Sequence, residues 1–243
     1  MEDLVSLVEE YHPGTSLRVE PATETEIRSL EDQAGPLPGA YLRLLRTLGG
    51  TTNPLQLRHI DLSIAVAIRL RDATEHLGKN VRYTFLAAEL DESEITYWMD
   101  RDSPAGDDDC AIVLSRFTVY AEGPVEPNYE PCAASLEDFL YFRVFADRVV
   151  PSFEHSQWGY LPEYHGPDEV DLALLVPLTL GFTRRPRPLH NAIFERDGAA
   201  IAIRRDPDGF VGIYLAAHDK DELDALAAAF SASSGYGTGF RRG

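Results

Sequence analysis

The chain reads as an α+β protein, a mixed or antiparallel β-sheet flanked by helices, and three observations predict this. Two amphipathic segments at helical spacing follow one another near the N-terminus, Thr23 to Ala34 and Tyr41 to Leu48. Residues 81 to 120 are β-prone and aromatic, with a polar turn between the runs. The last third carries short β-prone runs about Asp197-Gly198 and then a capped helix, a βββα pattern. A sheet with one apolar face and helices with one apolar stripe bury both by packing together.

Along the chain, residues 1 to 12 are expected to form a short helix with Leu4, Val8 and Tyr11 inward, stopped by Pro13-Gly14. Thr23 opens a second helix. Glu26 stands three residues on, as a capping box requires, and Ile27, Leu30 and Ala34 recur at helical spacing. Gly35, Pro36 and Pro38 stop it, because proline lacks an N–H donor and restricts the residue before it. Tyr41, Leu44, Leu45 and Leu48 form the stripe of a third helix, with Arg43 and Arg46 off it and Gly49-Gly50 as its stop. From Pro54 to Leu70 most apolar residues alternate with others, which favours a strand, although the Ala-rich centre leaves a helix open. Residues 81 to 90, 94 to 100 and 111 to 120 read as strands, with Ser103 to Gly106 and the run Asp107-Asp108-Asp109 as a polar turn. A Pro- and Glu-rich loop extends to Pro131, and Ser135 caps a helix through about Asp147.

Pro151 to Pro167 looks like an aromatic linker, and Asp168 to Val176 like a short helix. His190 to Glu195 and Ala199 to Arg204 are expected as a hairpin about Asp197-Gly198, with Phe210 to Leu215 as a third strand. Asp219 then caps a helix with Glu222 at its third position. This unit either extends the main sheet or stands as a small subdomain, and Ser231 to Gly243 reads as a frayed tail.

The order of signals from Thr23 to Gly50 resembles the SMI1/KNR4 family, the SUKH superfamily. The family pattern is a helix with an Ile-x-x-Leu-Glu core, a Leu-Pro step, an aromatic residue, a Leu-rich helix and Gly-Gly. Here these are Ile27, Leu30, Glu31, Leu37, Pro38, Tyr41, Leu44, Leu45, Gly49 and Gly50. The Ser-Leu-Glu-Asp-Phe-Leu segment from Ser135 resembles the helix that closes the family domain. Leu48 stands where the family usually has Asn or Asp, and Gly39-Ala40 where it often has an acidic pair. The resemblance implies an SMI1/KNR4-like domain over residues 1 to 148, with 149 to 243 as a C-terminal extension.

The formal net charge is −18 across 243 residues. Residues 86 to 132 hold 12 carboxylates against two arginines, Arg101 and Arg116. So acidic a chain repels nucleic acid and anionic membranes and suits a basic protein partner. The N-terminus, MEDLVSLVEE, is acidic where a secretion signal would be basic, and no apolar run is long enough to span a bilayer. Twenty arginines against two lysines fit the codons of a GC-rich bacterial genome. Cys110 and Cys132 show no metal-finger spacing; two free thiols in the cytoplasm are the simplest account, with one disulfide as the alternative.

Catalytic patterns fail on inspection. Asp100 to Ala111 matches a calcium loop at Asp100 and Asp102 only, with Pro104, Ala105 and Ala111 at its demanding positions. His155 and His165, ten residues apart, form no HExxH motif, and no GxSxG is present. Gly235, Gly237 and Gly239 precede no helix that would hold a phosphate. The basic cluster Arg184, Arg185 and Arg187 is too short for nucleic acid, and internal pairing with acidic residues is the alternative. No enzyme activity, cofactor or metal is therefore expected.

What the resemblance implies is an immunity protein that blocks a cognate toxin domain, a nuclease or another basic domain; the alternative is a non-enzymatic regulatory scaffold. Charge clustering, and no family motif, selects Glu89, Asp91, Glu92, Glu94, Asp107, Asp108 and Asp109 as partner-binding residues, followed by Glu122 and Glu126.

Overall fold

The computed structural model describes residues 2–14, 20–50, 55, 57, 60–73, 82–89, 95–106, 108–116, 128–161, 167–205, 211–233 and 240–242. Among these residues it is α+β, with two antiparallel sheets. The chain divides into two compact units, Met1–Phe139 and Leu140–Gly243.

In the first unit, α1 (Glu2–Tyr11), α2 (Glu24–Ala34) and α3 (Gly39–Leu48) follow the apolar spacing of the sequence. The capping box of α2 is reciprocal: the Glu26 N–H donates to Thr23 Oγ1 at 3.2 Å, and the Thr23 N–H to Glu26 Oε2 at 2.9 Å. Ala40, Tyr41, Leu44, Leu45 and Leu48 form the buried face of α3. Its Gly-Gly stop has a steric cause. A Cβ on Gly50 would lie 2.3 Å from the Pro21 carbonyl oxygen, because the Gly50 N–H donates to the Glu20 carbonyl at 2.9 Å.

Where alternation favours a strand between Pro54 and Leu70, the described residues are mostly helical, which corrects that expectation. Only β1 (Ile60–Asp61) is extended, and α4 spans Ile64–Ala73. The Ser63 N–H donates to Asp61 Oδ1 at 2.8 Å, and the Ser63 carbonyl accepts from Val66 and Ala67, so the helix starts there. Ile64 and Ala67 are then buried at helical spacing while Ala65 is exposed. Next come β2 (Tyr83–Glu89), β3 (Ile95–Pro104), β4 (Cys110–Arg116) and β5 (Tyr129–Ala133), giving the order β1-β2-β3-β4-β5. β5 lies where the sequence suggests only loop, because Glu130 and Pro131 mask a run that pairs with Leu114 and Val113. Pro131 in this last strand of the sheet order suits a residue with no N–H to donate. Tyr97 and Met99 turn into the core with Ile112, and the Tyr97 ring meets Phe139 with centroids 4.9 Å apart.

The helix after Ser135 is α5 (Leu136–Val144), continued by a π-helical turn at Phe145–Val149 and a 3-10 turn at Val150–Ser152. In the second unit the βββα pattern holds as β8 (Ala192–Arg196), β9 (Ala199–Arg205), β10 (Val211–Ala217) and α7 (Lys220–Ser233). Gly198 turns the β8–β9 hairpin at φ +78°. The sheet is larger than expected. β6 (His155–Leu161), read from sequence as linker, pairs with β10 over its whole length, and β7 (Thr183–Arg184) and β11 (Arg241–Arg242) add to either side. The order is β11-β6-β10-β9-β8-β7, a sheet of its own rather than an extension of the first. Contrary to the expected frayed tail, α7 runs on to Ser233 and β11 is a strand. Between them, α6 (Pro167–Thr179) and α7 cover one sheet face, where Phe194, Ile201, Ile213, Leu215 and Phe230 are buried.

Candidate partner-binding surface

The β3–β4 turn is built by short-range hydrogen bonds. The Ala105 N–H donates to the Asp109 carbonyl at 2.9 Å, and Gly106 takes the left-handed conformation at φ +91°. The turn sits against the start of α3, where the Ala40 N–H donates to the Asp108 carbonyl at 2.8 Å. Glycine at position 39 leaves room for this, since a Cβ there would be 2.9 Å from Asp108 Cβ. The Arg43 guanidinium bonds the Asp108 carboxylate through both terminal nitrogens. That hydrogen bond holds Asp108 below the usual carboxylate range, although both side chains stay half exposed.

Asp109 points the other way. Its carboxylate accepts from the N–H groups of Cys110 at 2.7 Å, Leu136 at 3.0 Å and Glu137 at 3.3 Å. The last two belong to the first turn of α5, where the helix itself offers no carbonyl acceptor for them. Burial pushes the Asp109 carboxyl above its ordinary value, against the pull of these three donors.

A second acidic centre lies along β3, at Asp100 and Asp102, the two carboxylates that match a calcium loop in sequence. Asp100 is buried, and the Arg82 guanidinium grips it with Nε and Nη2, each at 2.8 Å. Ser103 Oγ donates to the same carboxylate at 3.0 Å, and the Asp102 N–H at 3.2 Å. The Arg82 bond is the chief reason that Asp100 titrates below its ordinary value. Arg82 lies over the Tyr83 ring, 4.9 Å from its centroid, and Tyr83 stacks on Tyr129 at 3.8 Å. Asp102 projects outward, its side chain 70% exposed and one carboxylate oxygen 3.7 Å from Arg82 Nε.

Of the residues selected from charge clustering, Asp108 and Asp109 sit together in this turn, with only Asp108 outward. Glu89 ends β2 separately, half buried, where the Tyr97 hydroxyl donates to it at 2.5 Å. Asp91, Glu92, Glu94, Asp107, Glu122 and Glu126 lie outside the described residues. Asp102 and Glu130 are exposed carboxylates that clustering did not select; for Asp102, its position just after Asp100 on β3 is the signal that points to it. In the second unit Arg185 bonds Glu195, so the basic cluster is partly paired internally, as one of its two readings held. Cys110 and Cys132 are buried free thiols. Burial pushes the Cys110 thiol up to about 12, so it stays protonated and unreactive. Among the described residues no group of three or more His, Cys, Asp or Glu side chains is placed to hold a metal ion, and no helix is long and apolar enough to cross a membrane. No family model, curated protein or solved structure matches this chain.

Proposed function

We propose that the chain is an immunity-type protein that binds a basic toxin domain and blocks its active site. The observation that carries this reading is the surplus of 12 carboxylates over two arginines between residues 86 and 132. Exposed Asp102 and Glu130 and half-exposed Asp108 are described members of that stretch that face solvent. The resemblance of Ile27 to Gly50 to SMI1/KNR4 proteins supports the same reading. A field of carboxylates speeds encounter with a basic surface, and closure over the toxin's substrate site excludes the substrate. Asp102 is the first contact in this scheme, because its 3.7 Å approach to Arg82 Nε is looser than the Arg43–Asp108 pair. Asp108 engages only as the partner's cations compete with Arg43 for it.

The test is association kinetics of Asp102→Asn and Asp108→Asn chains with the partner at two salt concentrations. Slower association and a shallower salt dependence support the reading. Rates equal to the unaltered chain's at low salt remove this surface from the interface.

A further inference from the structure

The order β1-β2-β3-β4-β5 puts two strands between β2 and β5, yet Tyr83 of β2 and Tyr129 of β5 stack with ring centroids 3.8 Å apart. Side chains that meet from strands so far apart lie over the face between them. Tyr83 stands opposite Asp100 in the register, so this face is the reverse of the one that carries Tyr97 and Met99. Trp98 lies on it, with its ring edge-on to Tyr129 at 5.8 Å and to Phe85 at 5.2 Å. Phe85, Trp98 and Val113 are buried, whereas the two tyrosines above them are half-buried and reachable from solvent.

The polar groups on this face are one bond short. Trp98 Nε1 donates to Thr96 Oγ1 at 2.9 Å, and Thr96 Oγ1 donates to the Ser115 carbonyl at 3.2 Å. Ser115 stands opposite Thr96 on one side and Tyr129 on the other, so its side chain shares their face. Its hydroxyl is wholly buried and has no hydrogen-bond partner among the described residues. Such a group is costly to a fold unless something bonds it. We propose that the face roofed by Tyr83 and Tyr129 is a binding site for the guanidinium of a partner's arginine, which enters between the two rings and donates to Ser115 Oγ.

Arg82 shows what these rings accept. Its guanidinium lies 4.9 Å over the Tyr83 ring while Asp100 holds it by two hydrogen bonds. A guanidinium stacks on an aromatic face and still presents donors in its own plane, which a lysine ammonium does not. The rim is also negative. Burial first, and then the Asp100 and Asp102 carboxylates, push the Tyr83 hydroxyl above its ordinary value, with Arg82 opposing them. Two carboxylates against one guanidinium leave a surplus that draws in a cation.

That the arginine belongs to a toxin domain rests on the immunity reading; the site itself does not. The probe is therefore acetyl-arginine amide, titrated against the full chain by NMR, with acetyl-lysine amide as the control for charge alone. Saturable shifts of the Trp98 indole N–H and of the Tyr83 and Tyr129 ring signals, with the lysine probe about tenfold weaker, support the site. Ser115→Ala removes a hydroxyl that no described residue bonds. It is expected to leave thermal stability unchanged or raised and to weaken arginine binding about tenfold. If that chain does not fold, Tyr129→Leu takes its place: lost arginine binding supports the site, and unchanged binding overturns it. No saturable shift at Trp98, equal binding of the two probes, or a folded Ser115→Ala chain that binds as the unaltered one overturns the proposal. Those failures leave the immunity reading standing on its association kinetics. An affinity of about 1 μM or better for the amide alone assigns the site to a free small molecule and overturns the partner assignment.

Discussion

The Asp109 carboxylate accepts the backbone N–H of Leu136 at 3.0 Å, joining the β3–β4 turn to the first turn of a helix 27 residues further on. Ser135 caps the same helix, receiving the Asp138 N–H at 3.0 Å, so α5 has two acceptors at its start. Asp109 therefore acts inside the fold, whereas its neighbour Asp108 is the residue placed to meet a partner.

Asp109→Ala is expected to cost about 1 kcal/mol, the usual loss when a helix cap is removed. Asp108→Asn breaks a half-exposed ion pair and is expected to cost less than about 1 kcal/mol. Urea unfolding of the two variants checks the order. A larger loss from Asp108→Asn would reverse the roles assigned here.

Gly50→Ala is expected to destabilise the first unit by about 1–3 kcal/mol, as forced overpacking does, since the new Cβ meets the Pro21 carbonyl at 2.3 Å. Thermal unfolding reads this directly. An alanine tolerated without loss would mean that the Gly-Gly stop is not sterically required.

Asp100 titrates below its ordinary value of 3.8 because of Arg82. A depressed carboxylate contributes stability that is fully present above its unfolded pKa and lost as pH falls through its lower folded value. The contribution of the pair is thus expected to persist at pH 5 and fade below about pH 4. Arg82→Ala should remove that contribution and lower stability at neutral pH by leaving a buried carboxylate without its main partner. Asp109 has the opposite sign. Its raised pKa costs stability as pH rises from the ordinary carboxylate value through the raised one. Unfolding curves of the unaltered chain and Arg82→Ala at pH 3, 4, 5 and 7 separate the two.

Cys110 and Cys132 are expected to resist thiol reagents in the folded chain and to react with two equivalents after denaturation. Fast labelling of a native thiol would contradict their burial.

The first unit's helices were legible because their signals are local. Thr23 and Glu26, Pro38, and the Gly49-Gly50 stop all act within a few residues of the helix they bound. Strand β6 was not, because Trp158, Gly159 and Tyr160 between prolines look like a sticky linker until Val211 to Ala217 pairs with them. Alternation from Ile60 to Ile68 misled because the local hydrogen bonds at Asp61 and Ser63 start a helix there. The acidic run was visible as charge, but its division of labour was not. Whether Asp108 or Asp109 faces outward depends on Arg43 and on Leu136, 65 and 27 residues away from them respectively.

Recovery of the partner tests the central claim most directly. The tagged chain is used to capture proteins from the cells that produce it, at low and at moderate salt, and the captured protein is then expressed alone and together with the chain. The account predicts a basic protein, bound one-to-one and released as salt rises, that harms cells when expressed alone and is harmless beside this chain. A salt-insensitive partner, or one whose toxicity the chain does not relieve, would contradict it, and capture of regulatory proteins in its place would favour a scaffold.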